Sequence, residues 1–326
     1  MTDLHKTLTQ LLLEPMSPEA QIPLILSLDF ARTDSKAFAE IATFMLDHAR
    51  CLKHVPPETI DIVGTGGDGL GTLNFSTLAA IFAARAGATV AKHGNRSLTS
   101  KTGSFDLLQR LNVEIPETPE QAERILQEKH LVFLFSPFFH PISAKVTEAR
   151  KLLGQQKRPT IFNIMGALLN PARVKRGLWG VYQASLIPLF AETLQRLGVE
   201  YAYVVHGEGM DEATLTGVTQ YAKLTPGKIE YGQLVPEDLG LTRCKLEDLL
   251  GGDIDHNTAQ AKAILAGETT GPKLDMVLLN AALALEASTG FEKKAREWLN
   301  TLSCHPRPAQ AGIQKNHKPG SPPSRR

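Results

Sequence analysis

The 326-residue chain carries 35 Lys and Arg against 34 Asp and Glu, a formal net charge of +1, and 42% of its residues are hydrophobic. That is enough for a sizeable core in one large domain, or in one with a small satellite, and no uninterrupted apolar run is long enough to span a bilayer. Residues 304–326 hold Arg307, Lys315, Lys318, Arg325 and Arg326 and no acid, so the remainder has 30 basic and 34 acidic residues, a poor general surface for nucleic acid.

Residues 1–55 read as helical. Leu4, Leu8, Leu11 and Leu12 form one stripe, and Ser17-Pro18-Glu19 gives a cap, a first-turn proline and an acidic start. Thr33, Asp34 or Ser35 can cap a third helix bearing Phe38, Ile41, Phe44 and Met45. Pro56-Pro57 breaks the pattern. We expect a small helical domain over 1–57, joined by helices from about 142–172, whose residues serve packing or an interface. An α/β domain over 58–303 and a disordered basic tail over 304–326 would follow.

From Thr59 the pattern alternates. Strand-like runs at 59–63, 87–91, 131–135 and 201–206 are separated by helical segments at 77–87, 104–112, 118–129 and 183–197. This order predicts a mostly parallel central sheet flanked by helices. Residues 218–235, with Thr225-Pro226-Gly227 in the middle, predict a hairpin at the sheet edge. A helix from Asn257 to near Gly267, and a long apolar one from Pro272 to Ser288, complete the pattern. Cys51, Cys244 and Cys304 form no CxxC pair, which argues against a zinc site or disulfide framework. The first residues, MTDLHKTLTQLLLEP, lack the stages of a secretory leader, and a cytoplasmic protein is expected.

Chemistry concentrates at 61–77, DIVGTGGDGLGTLNFST. A strand feeds a loop containing Gly64, Gly66, Gly67, Gly69 and Gly71, and Asn74, Ser76 and Thr77 lead into a helix expected from about Leu78. Backbone amides at such a loop and helix start favour an oxyanion. The spacing matches neither the nucleotide P-loop nor the dinucleotide fingerprint. A second loop, Lys92-His93-Gly94-Asn95-Arg96, follows the next apolar run and leads to Ser97, Thr99, Ser100, Gly103 and Ser104. In a parallel sheet both loops would face one crevice at the strand ends, which suits a ligand with several phosphates.

Residues 204–212, VVHGEGMDE, end a strand in adjacent carboxylates. Magnesium takes a few carboxylates, keeps waters and draws other ligands from substrate phosphates. Asp211 and Glu212 fit that role, with Ser76 adding a hydroxyl. His140 and Arg150 are ten residues apart and could share one side of a regular helix, where a guanidinium would suit a carboxylate. His93, His140 and His206 lack metal-ligand spacing. Residues 163–176, around Asn170-Pro171, read as a loop-rich connection. With no clear nucleophile, the chemistry is displacement of a leaving group by positioning and charge neutralisation.

Taken together, GTGGD at 64–68, NFST at 74–77, KHGNR at 92–96, HP at 140–141, FNIMGALLNPAR at 162–173 and VVHGEGMDE at 204–212 resemble the anthranilate phosphoribosyltransferases. The resemblance implies a homodimer that transfers phosphoribosyl from 5-phosphoribosyl 1-diphosphate to the amine of anthranilate, a step of tryptophan biosynthesis. It implies a phosphoribosyl diphosphate site at Gly64, Gly67, Asp68, Thr72, Asn74, Ser76, Thr77, Lys92, Ser100 and Ser104. It further implies Mg2+ on Ser76, Asp211 and Glu212, and anthranilate at Gly64, Asn95, His140 and Arg150. Lys92, Asp211 and Glu212 would be the catalytic residues. Departures are Ala167 where the family has proline, Phe139 where it has a second histidine, and Phe105 where it has alanine. Gln155-Gln156-Lys157-Arg158 is about two residues longer than usual. A pyrimidine-nucleoside phosphorylase and a non-catalytic polyanion-binding relative are the alternatives; the adjacent acids and the KHGNR spelling favour the transferase.

Overall fold

The computed structural model describes residues 3–28, 33–95 and 103–304. Seven strands form one sheet: β1 (Ile60–Gly64), β2 (Val90–Gly94), β3 (Leu131–Phe135), β4 (Arg176–Gly180), β5 (Tyr201–Gly207), β6 (Thr219–Thr225) and β7 (Lys228–Leu234). Their spatial order is β3-β2-β1-β4-β5-β6-β7. The first five are mutually parallel, and β6 and β7 add the expected antiparallel hairpin at one edge. The chain winds outward from β1 through β2 to β3, then restarts beside β1 with β4. The crevice above β1 and β4 is therefore the topological switch point, where open sheets bind ligands.

Strand β4 is a correction to the sequence reading, which took the stretch before it as connection. Its five residues, RGLWG, include two glycines, which are depleted in strands. The structure supplies the reason for one of them. Gly177 has φ +148, and a Cβ there would lie 2.1 Å from the Asp61 carbonyl oxygen on β1. A side chain at 177 would force the central pair of strands apart.

Alternating side chains send the strands' two faces to two layers. Ile60, Ile62, Val90, Phe133, Leu178 and Val205 pack with the helices Phe75–Arg85, Pro272–Ser288 and Ala295–Cys304. Val63, Ala91, Val132, Leu134, Trp179 and Val204 pack in a second core with helix Leu186–Arg196 and the N-terminal helices Asp3–Leu13, Pro18–Ser27 and Ser35–Asp47. Ser17 and Asp34 cap their helices, accepting from the amides of Ala20 (3.3 Å) and Ala37 (2.8 Å). Helix Pro272–Ser288 is buried at every position from Met276 to Ala287. No helix among the described residues is long and apolar enough to cross a membrane. The tail, apart from the end of helix Ala295–Cys304, lies outside the described residues.

Candidate active site

Gly64 and Gly180 end β1 and β4 and face each other in register. Both leave room for the loop after β5. A Cβ on Gly64 would sit 2.0 Å from Asp211 Oδ2, and one on Gly180 would sit 1.5 Å from the Asp211 carbonyl oxygen. The two strand ends thus form a slot into which Asp211 is set. Gly66, the second residue of the glycine loop, closes it by donating its amide to Asp211 Oδ2 at 2.6 Å. Gly66 and Gly67, with φ of +68 and +85, turn this loop out to solvent. Thr72, at its far end, bridges to Leu250.

The helix after the loop begins at Phe75, three residues earlier than the sequence suggests, with Asn74 at its N-cap position. Ser76 and Thr77 therefore lie within the first turn. Ser76 Oγ accepts from Lys92 Nζ at 3.2 Å, and Thr77 Oγ1 is buried without a hydrogen-bond partner. Lys92 itself is not in a loop. Strand β2 runs to Gly94, so Lys92 and His93 are strand residues, only 4% and 2% exposed. The expected strand boundary was too early because Lys and His are read as polar punctuation, whereas neighbouring strands bury both. The Lys92 ammonium also donates to the Ile62 carbonyl. Burial pulls its pKa down, while Asp61, Glu212 and Asp211 pull it back up.

Three carboxylates converge on this point. Burial first, and then the neighbouring Asp68, raise Asp211 to about 6. Glu212 is held well above the ordinary carboxylate range by burial and by Asp211 and Asp68, against a hydrogen bond from the Ser76 amide. Asp68 is raised by burial. Glu212 Oε2 is buried with no partner. Repelling acids with an unpartnered oxygen, at the helix turn that carries Ser76, are the chemistry of a divalent-cation site. Among the described residues no group of three His, Cys, Asp or Glu could hold an ion by itself. The donor set fits magnesium, which needs few protein ligands and takes phosphate oxygens and water for the rest.

The expected acceptor residues are arranged differently from their spacing. The segment carrying His140 and Arg150 is not one regular helix: a 3-10 turn, Pro141–Val146, precedes the helix Thr147–Gln155. His140 is 1% exposed, its Nε2 meets the Leu169 carbonyl at 2.7 Å, and its ring lies edge-on to His93 at 5.2 Å. Burial lowers its pKa to about 4, so the ring is neutral at pH 7. Arg150 bonds the Phe162 carbonyl at 3.3 Å and lies over the Phe162 ring. Both residues are thereby tied to the segment 162–169. Asn95 is exposed just past β2, and Ser104 starts the helix Ser104–Arg110. Ser100 and most of the second loop lie outside the described residues. Among the departures, the Ala167 carbonyl accepts the Trp179 indole N–H at 3.0 Å, Phe139 is fully buried, and the Phe105 ring lies tilted against Phe135, with centroids 4.6 Å apart, beneath Gly94.

Three further polar residues hold the site, and sequence reasoning gave them no such part. Asp61, fully buried on β1, accepts from Asn170 Nδ2 at 2.7 Å and from the His93 amide at 3.3 Å. Asn170 also donates to the Ala91 carbonyl at 2.7 Å, so the turn at Asn170-Pro171 ties β1 to β2. Asn280, fully buried in an apolar helix, bonds the main chain of Ala213. A lone asparagine in such a helix was the available signal.

A family model described as "Glycosyl transferase family, a/b domain" matches residues 56–301. An anthranilate phosphoribosyltransferase of Rhodopseudomonas palustris is 44% identical over 262 residues, 80% of this chain and 76% of the relative. The crystal structure of the Thermus thermophilus anthranilate phosphoribosyltransferase is 37% identical, superposes with a TM-score of 0.84, and is matched over 92% of this chain and 88% of that one. The Saccharomyces cerevisiae enzyme, solved in complex with PRPP (5-phosphoribosyl 1-diphosphate) and Mg, is 28% identical with a TM-score of 0.80, over 92% of this chain and 87% of that one.

Proposed function

The chain belongs to the anthranilate phosphoribosyltransferase family, and from that premise we propose that its switch-point crevice transfers phosphoribosyl from 5-phosphoribosyl 1-diphosphate to the amine of anthranilate. The product is N-(5-phosphoribosyl)anthranilate with release of diphosphate, as a step of tryptophan biosynthesis. The observation that carries this reading is the slot at Gly64 and Gly180. It sets Asp211 and Glu212 against Ser76 and Lys92 at the mouth of a glycine loop.

The glycine loop, through Gly64, Gly67, Asp68, Thr72, Asn74, Ser76 and Thr77, would bind the ribosyl diphosphate together with Ser100 and Ser104. Amides at the loop and at the start of helix Phe75–Arg85 face anionic oxygens. Mg2+ held by Ser76, Asp211 and Glu212 would supply the positive charge that a departing diphosphate needs. Lys92 adds a fixed ammonium whose burial strengthens its field. The bond from ribose C1 to diphosphate breaks through an oxocarbenium-like state as the aromatic amine closes on C1. Asn95, neutral His140 and Arg150 would orient anthranilate, with Arg150 facing its carboxylate. We infer a homodimer from the resemblance, to be checked by light scattering of the purified protein.

The test is loss of anthranilate fluorescence on adding phosphoribosyl diphosphate and Mg2+, paired with thermal denaturation. A ligand that binds only the folded state raises the melting temperature, so that pair of additions should do so. Stabilisation by inorganic phosphate with thymidine, and none by phosphoribosyl diphosphate, would instead identify a nucleoside phosphorylase.

A further inference from the structure

Glu212 leaves the Asp211 slot and is followed by Ala213, whose main chain is buried beneath it. Both main-chain groups of Ala213 bond one side chain from another part of the chain. Asn280 Oδ1 accepts the Ala213 amide at 3.0 Å, and Asn280 Nδ2 donates to the Ala213 carbonyl at 2.9 Å. The remaining Nδ2 hydrogen goes to the Met276 carbonyl one turn back, at 3.0 Å. Both amide hydrogens and the oxygen are used, and Asn280 is 0% exposed.

Packing does not explain an asparagine here. Helix Pro272–Ser288 is apolar around Asn280, with Met276, Val277, Leu279, Ala281 and Ala284 fully buried. A leucine has the same branched skeleton and would carry no desolvation cost. The polar side chain answers the two backbone groups that the loop turns into the core. The same helix packs along Phe75–Arg85, whose Ser76 amide donates to the Glu212 carboxylate. The loop is pinned on one side at Gly66 to Asp211, on the other at Asn280 to Ala213, and Glu212 lies between.

We propose that Asn280 is a positioning residue for the metal-binding carboxylates: by clamping both main-chain groups of Ala213 it holds Glu212 at a fixed distance from Ser76. This rests on the magnesium reading of Asp211 and Glu212. Asn280 touches no reacting atom and acts through Glu212.

The experiment titrates Mn2+, read by electron paramagnetic resonance in the presence of phosphoribosyl diphosphate, into wild type, Asn280→Leu and Leu279→Ala. Hydrogen exchange at the Ala213 amide is followed in parallel. Asn280→Leu should weaken Mn2+ binding at least tenfold and speed Ala213 exchange at least tenfold, while KM for anthranilate stays within twofold. Leu279→Ala removes core packing in the same helix and should leave Mn2+ affinity unchanged. Wild-type Mn2+ affinity in Asn280→Leu, or an equal loss in Leu279→Ala, overturns the proposal. If the leucine variant does not fold, Asn280→Asp keeps the volume and the acceptor but leaves at most one O–H for the two carbonyls, of Ala213 and Met276, that Nδ2 now serves. It should weaken Mn2+ at least threefold, and no weakening refutes the clamp. Absence of Mn2+ binding by wild type would instead defeat the magnesium reading and remove the clamp's purpose with it.

Discussion

The carboxylates of the crevice are costly to the protein that carries them, and Asp211→Asn measures that cost. Asp211 ionises near 3.8 in an unfolded chain and near 6 in the fold, chiefly because it is buried and faces Asp68. Below 3.8 both states hold the proton and the group does not matter to stability. Between 3.8 and 6 the folded state keeps a proton that the unfolded state has released, so stability falls as pH rises. Above 6 the full penalty stands, at most about 3 kcal/mol for a gap of about two pH units. An asparagine never ionises. Its oxygen can still accept the Gly66 amide now bonded at 2.6 Å, and the neutral side chain no longer repels Asp68 and Glu212. With an unfolding entropy of about 2 cal/mol/K per residue, the metal-free variant should melt about 5 °C above wild type near pH 8. That margin should vanish near pH 4.

Thermal scans across this pH range with a chelator present read the effect directly. Adding phosphoribosyl diphosphate and Mg2+ should reverse the ranking, because wild type gains binding energy and the variant loses it. An Asp211→Asn protein that melts at or below wild type at pH 8, or whose margin is the same at pH 4, would show that Asp211 is not held as a strained acid.

The other predictions concern the slot, the buried cation and the acceptor. Gly180→Ala puts a Cβ 1.5 Å from the Asp211 carbonyl oxygen. Asp211 must then retreat by about 2 Å to reach ordinary contact, and kcat/KM should fall about 100-fold or more, since errors of that size uncouple reacting groups. Lys92→Met removes the ammonium bonded to Ser76 and Ile62. In steady-state assays it should lower kcat by about 100-fold or more, as loss of one buried electrostatic group commonly does. Unchanged kcat would remove Lys92 from the chemistry. Arg150→Ala should raise KM for anthranilate about tenfold or more and leave KM for phosphoribosyl diphosphate nearly unchanged, because it removes one charged recognition contact. Equal rises in both would argue against a carboxylate at Arg150.

The site could be found in the sequence to the extent that its residues advertise their chemistry locally. The glycine loop, the hydroxyls at 76 and 77 and the adjacent acids at 211 and 212 all announce a function by type and spacing, and the structure brings them to one crevice. What could not be read was depth. Lys92 looks like a loop cation because lysine is rarely buried, yet β2 carries it between β1 and β3 into the core. Gly177 and Gly180 look like strand breakers, and so hid β4, because the reason for each glycine is an atom more than 30 residues before or after it in the chain: the Asp61 carbonyl for one, the Asp211 carbonyl for the other. Asn280 is the same case in a helix, 67 residues from the backbone it satisfies. Each exception to local pattern is explained by a long-range contact that ends in or beside the site. Local rules give way where distant segments must meet at close range, and here that place is the crevice between β1 and β4. A glycine in a strand, or an asparagine in an apolar helix, therefore points to the candidate crevice even when its neighbours in sequence say nothing about chemistry.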